Sequence, residues 1–123
     1  ALSPKEIAEH ALKQNCPSIS YTYTEPTITL EYVLDTMRLA KEKELILCGD
    51  FNAPRSGEIF NRIAGIYKDN IPQDVITTLD EKYHKGGKIN FVVDGLFTTS
   101  NYQVKKIRIV GAVSDHRAIV VNL

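Results

Sequence analysis

The sequence predicts an α/β domain, a single mixed sheet of about five strands with helices packed on it. Three observations lead there. The first forty-odd residues carry two apolar stripes at helical spacing. Leu45-Ile46-Leu47-Cys48 is a short continuous apolar run, typical of a strand buried on both faces. The last third holds three β-rich segments, Asn90 to Phe97, Asn101 to Val110 and Ala118 to Leu123.

Each element has a local cause. Ser3-Pro4-Lys5-Glu6 is a helix start, with Ser3 as cap, Pro4 in the first turn and Glu6 closing a capping box. Ile7, Ala8, Ala11 and Leu12 form its apolar face, and Pro17 ends it. Ser18 to Tyr23 reads as a strand, broken by Glu25-Pro26-Thr27. Thr27 caps a second helix with Leu30, Val33, Leu34, Met37 and Ala40 on one side, and Lys41 and Lys43 suit the dipole at its end. With the run at 45–48, residues 18 to 48 read as a right-handed βαβ unit with parallel strands. Gly49 ends the strand and Asp50 sits on its tip. Ser56 caps a short helix bearing Ile59, Phe60, Ile63 and Ala64. Lys68 to Lys88 is polar, contains Pro72, Gly86 and Gly87, and reads as a long surface loop. The short connection after Phe97 predicts an antiparallel hairpin with the segment from Asn101, and Gly111 turns the chain into the last strand. No linker composition divides the 123 residues, so one domain over residues 1–123 is expected.

Composition excludes several classes. Hydrophobic residues are 43% and charged residues 24%, as in ordinary globular proteins. Fifteen basic residues balance fifteen acidic ones, so a nucleic acid held by bulk charge is not expected. Cys16 and Cys48 lie outside any C-x-x-C spacing and read as reduced core thiols. No apolar run nears the roughly 20 residues of a membrane span, and the start does not read as a signal peptide. A cytoplasmic-type soluble protein is the expectation.

Four polar features fall at strand ends or near turns. They are Glu25, the segment Gly49-Asp50-Phe51-Asn52, Asp94 within an apolar run, and Ser114-Asp115-His116. In a parallel arrangement Glu25 and Asp50 lie side by side, and the hairpin adds Asp94 and Asp115 to the same edge. Clustered carboxylates repel one another unless a cation or hydrogen-bond donors compensate, and oxygen ligands suit Mg²⁺ or Mn²⁺. His116 has the residue type of a general acid or base. Ordinary roles compete at every position. Asp50 and Asn52 suit a turn, Asp94 an acceptor for backbone or His116, Asp115-His116 a turn cap, and Glu25 a solvated loop. Lys85, Lys88, Lys105, Lys106 and Arg108 make either a phosphate-binding patch or a charged edge that resists aggregation.

GDFNAPRSG, FVVDGLF and SDHRAIVV, in this order, resemble the last three motifs of the endonuclease/exonuclease/phosphatase family, the deoxyribonuclease I-like phosphodiesterases. The resemblance covers residues 45 to 123. It implies that Asp50 positions or deprotonates the attacking water, Asn52 holds the phosphate, and Asp115 ligates metal. His116 would stabilise developing charge, oriented by Asp94. The family often has Tyr where Gly95 stands here, which predicts a looser site. Members are about twice as long, with two stacked sheets. Their early Asn motif, first-half metal-binding Glu and strand-end His have no counterpart, and TYTEPT stands where that His belongs.

Residues 2 to 44 are similar to something else. The run from SPKEIAEH through YTYTEPT to the EY helix resembles an internal piece of a radical S-adenosylmethionine enzyme of the pyruvate-formate-lyase-activating type. There Glu25 would help hold the cofactor's amino group. The C-x-x-x-C-x-x-C motif is absent, so no iron–sulfur cluster is expected. Together the two resemblances imply a chimera, a deoxyribonuclease-like half completed by a foreign helix-strand-helix segment. Three functions follow as expectations. One is a folded chimera with an inactive relic site. Another is weak Mg²⁺- or Mn²⁺-dependent phosphodiesterase or nuclease activity from Asp50, Asn52, Asp94, Asp115 and His116, with Glu25 as an added metal ligand. The third is a module that binds cation or phosphate, or forms a homodimer through the sheet face left uncovered by the missing half.

Overall fold

A computed structural model describes residues 2–16, 19, 30–40 and 46–123. The order is α1 (Pro4–Lys13), α2 (Leu30–Ala40), β1 (Ile46–Asp50), α3 (Glu58–Ala64), β2 (Lys68–Asp69), β3 (Asp94–Thr98), β4 (Lys106–Val110) and β5 (Ala118–Asn122). The fold is mixed α/β. The expected strand at Ser18 to Tyr23, the loop residue Glu25, the cap Thr27, and Lys41 and Lys43 lie outside the described residues, as do the side chains of Leu30, Met37 and Ala40. The βαβ unit is therefore not among the described elements.

Helix α1 starts as its sequence requires. Ser3 Oγ accepts from Glu6 N–H, and Glu6 returns the bond by accepting from Ser3 N–H at 2.8 Å. It ends at Lys13, before Pro17, with Gln14 as cap. Helix α1 packs on α2, and the Tyr32 hydroxyl donates to the Leu2 carbonyl. Arg62 of α3 pairs with Glu31 of α2. The N-cap of α3 is Gly57, which makes no side-chain bond, so Ser56 does not cap it as expected.

The strands are divided between two sheets, not gathered in one mixed sheet. One has the order β1-β3-β2 and the other pairs β4 with β5; every pairing among the described residues is antiparallel. The expected hairpin between the segments at 90–97 and 101–110 does not form. Both edges of β3 are already taken, by β1 and β2, so β4 has no free edge there and pairs with β5.

The two sheets stack. Leu47 and Phe97 are opposite one another in register and share a face. On that face Phe97 joins Val33 and Leu34 of α2, Phe60 and Ile63 of α3, and Phe51, Ala53 and Tyr67. Phe97 meets Phe51 edge-on at 5.5 Å between centroids and Phe60 at 5.0 Å. The opposite face presents Leu96, with Ile46, to a second core of Ile71 and Val92. Ile107 and Ile109 of β4 and Ile119 and Val121 of β5 cover it. The order of layers is helices, central sheet, two-stranded sheet, and strand alternation assigns each residue to its side.

Three burial expectations are corrected. Strand β1 is not buried on both faces: Ile46 and Leu47 are half-buried, while Cys48, Gly49 and Asp50 are exposed. Among the described residues β1 has only β3 beside it. Cys16 and Cys48 are free and exposed, not core thiols. The stretch from Lys68 to Lys88 is not a surface loop throughout. It opens with β2, and Ile71, Thr77, Thr78, Leu79 and Asp80 are buried.

Candidate functional site

The site lies where the two sheets meet. Asp50 and Asp94 face each other as the last pair of the β1–β3 ladder. His116 stands two residues before β5 and reaches across from the other sheet. Its ring Nδ1 lies 2.9 Å from Asp94 Oδ2, and Nε2 lies 3.8 Å from Asp50 Oδ2. An ionised carboxylate only accepts, so Asp94 fixes the proton on Nδ1. Ligand atoms of Asp50, Asp94 and His116 lie within 4.8 Å of one another.

The turn after β1 shapes the exposed side. Asn52 has φ +48, a left-handed conformation that Asn tolerates better than most residues. Its N–H donates to Asp50 Oδ1 at 2.8 Å, so the turn and the carboxylate hold each other. Phe51 N–H donates to the Val93 carbonyl and Arg55 N–H to the Val92 carbonyl, extending the contact beyond the strand. Arg55 then clamps the turn. Its guanidinium donates to Asp69 Oδ2 and to the carbonyls of Ile71 and Pro72, at 2.6 to 3.1 Å.

The segment Thr77-Thr78-Leu79-Asp80 joins the two sheets. Thr78 is fully buried, and its Oγ1 accepts from Val93 N–H at 3.1 Å and Asp94 N–H at 3.2 Å. Its carbonyl accepts from Arg117 N–H at 2.7 Å, and Asp80 N–H donates to the Asp115 carbonyl. Leu79 and His116 form a β-bridge between these bonds. Asp80 accepts Ala112 N–H at 2.7 Å and Lys82 N–H at 3.1 Å. Ala112 has φ +63, a strained value for a residue with a Cβ, and the Asp80 bond holds it there. Sequence reasoning missed Thr78 and Asp80. The only signal was TTLD inside a polar stretch, too short to show a period.

Electrostatics follow from these contacts. Partial burial pushes the His116 pKa down. The hydrogen bond to Asp94 and the charges of Asp94, Asp50 and Asp115 outweigh it, so the net shift is upward from 6.5. One ring nitrogen is committed to Asp94, and the other faces Asp50. Backbone donors from Ala112 and Lys82 hold the Asp80 carboxyl below its ordinary value.

The expected site residues therefore separate. Asp50, Asp94 and His116 come together, and Asn52 is on the same turn as Asp50. Asp115 is exposed, and although its charge acts on His116, it is not in the cluster of possible ligand atoms. Glu25 lies outside the described residues. At Gly95 the rings fill the space a side chain would need, because a Cβ there would come within 2.6 Å of the Phe97 ring and 2.9 Å of Phe51.

No family model matches the chain, and no solved structure matches it. An uncharacterized protein of Methanocaldococcus jannaschii is 54% identical to it over 41 residues, which are 33% of this chain. The match spans 12% of that relative's length.

Proposed function

We propose that this chain is a recombined protein whose Asp50–His116–Asp94 array is a retained phosphodiesterase half-site, too incomplete for efficient turnover. The single observation behind it is the convergence, from two sheets, of a buried carboxylate, a histidine fixed by it and an exposed carboxylate. The donor set fits a hard divalent cation in type, since Mg²⁺ and Mn²⁺ take carboxylate oxygens. Asp50 is the natural ligand because it is exposed, whereas Asp94 is committed to His116. A bound cation would supply charge against a phosphate. The chain's own part is to orient water at Asp50 and to aim the free His116 donor at a phosphate oxygen, with Asn52 on the adjacent turn. Protonated His116 opposes a cation at Asp50, so cation affinity should rise with pH.

The test is Mg²⁺- and Mn²⁺-dependent hydrolysis of plasmid DNA and of a simple phosphodiester by the full chain, Asp50→Asn and His116→Ala. Mn²⁺ binding lost in Asp50→Asn, with no turnover above the variants' background, is the expected result. Turnover that disappears in both variants would establish the second reading, a working weak phosphodiesterase.

A further inference from the structure

A second polar site lies behind the first. Residues 116 and 117 are extended, so successive side chains point to opposite sides. His116 turns toward Asp94, and Arg117 turns away into a cavity of about 210 Å³ beside Thr77, Leu79, Lys88, Ile89 and Asn90. Arg117 Nε is buried and has no hydrogen-bond partner. Among the described residues neither Arg117 nor Lys88 has a carboxylate within salt-bridge distance. The charge of Arg117 acts on Asp80, whose oxygens accept the backbone N–H groups of Lys82 and Ala112 and which does not line the cavity. Glu81 also borders the cavity, so its lining carries one acid against two cations.

A buried guanidinium nitrogen without a partner is costly, and proteins rarely leave one unmet. The planar fork of Arg matches a tetrahedral oxyanion bidentately, and Lys88 adds a second positive charge at the rim. Thr77 is not an available donor, because its hydroxyl already bonds the Ile89 carbonyl at 2.8 Å. We propose that this cavity binds a phosphate group, held by Arg117 through its terminal guanidinium nitrogens and by Lys88 through its ammonium. Leu79 and Ile89 provide an apolar wall for whatever the phosphate is attached to. The site is separate from the Asp50–His116 array and does not depend on its chemistry.

The experiment titrates the full chain with inorganic phosphate, and separately with a nucleoside 5′-monophosphate, in EDTA at constant chloride. Heat of binding and the Arg117 Nε–H resonance are followed together. Saturable binding that shifts this resonance is expected. Arg117→Gln and Lys88→Gln should each weaken it about tenfold, the size of one charge-assisted contact. Lys88 is exposed, so its variant keeps the test sound if Arg117→Gln perturbs folding. Tighter binding of the nucleotide identifies an ester as the ligand, and equal binding identifies free phosphate. Absence of binding, binding only when a divalent cation is restored, or binding unchanged in both variants would overturn the proposal.

Discussion

His116 contacts both carboxylates of the candidate site, and its titration is the direct reporter of that geometry. Its pKa is raised, so the bond to Asp94 stabilises the fold fully below pH 6.5. That contribution is lost as pH rises through the folded-state value. An NMR titration of the ring should give a midpoint above 6.5, and Asp94→Asn should lower it. An unchanged midpoint would show that the Asp94 contact does not form in solution. Gly95 makes a second residue-scale case. Adding a Cβ forces the Phe51 and Phe97 rings apart, and overpacking of this kind costs about 1–3 kcal/mol. Gly95→Ala should lower the denaturation midpoint accordingly, and a neutral result would mean the rings can retreat freely.

At the scale of elements, the segment from Thr77 to Asp80 does what a strand would do in a larger sheet. It satisfies backbone donors of residues 93 and 94 on one side and takes the Arg117 donor on the other. Thr78→Val keeps the shape and leaves those buried N–H groups unmet, at about 1–3 kcal/mol. Urea denaturation reads the loss, and a shifted His116 resonance would locate it at the sheet junction. Asp80 behaves differently with pH. Its carboxyl is depressed below the ordinary 3.8, so its contribution is present above that pH and lost as pH falls through the folded-state value. The stability gap between the wild-type chain and Asp80→Asn should therefore close in acid; a constant gap would rule out an ionised Asp80 as the holder of Ala112. Helix α1 needs no such partner to be recognised. Its capping box is local, three residues apart, and was readable in the sequence for that reason.

At the scale of the molecule, Phe97 and Leu96 are adjacent residues that serve two different cores. The central sheet is thin, so damage on one face reaches the other. Phe97→Ala should cost about 3–5 kcal/mol and should perturb amide exchange in β4 and β5 as well as in α3. Exchange changes confined to the helical side would mean that the two layers open independently.

The amino-acid sequence alone determined the α/β class, the starts of α1 and of the last strand, and the placing of Asp50 at a strand end; it set Asp94 inside a strand expected from Asn90, whereas the strand begins at Asp94. These rest on local rules: capping, apolar spacing and turn residues act within a few positions. Tertiary structure decided the rest. The strands split into two sheets because β3 has two edges and β1 and β2 occupy both. Asp115 stays outside the cluster in the bend before the last strand, while its neighbour His116 enters through its bridge to Leu79. The bonds by which Thr78 reaches residues 93 and 94 and Asp80 reaches Ala112 span more than ten residues, and no local pattern encodes a hydrogen bond whose partner is so distant in the chain.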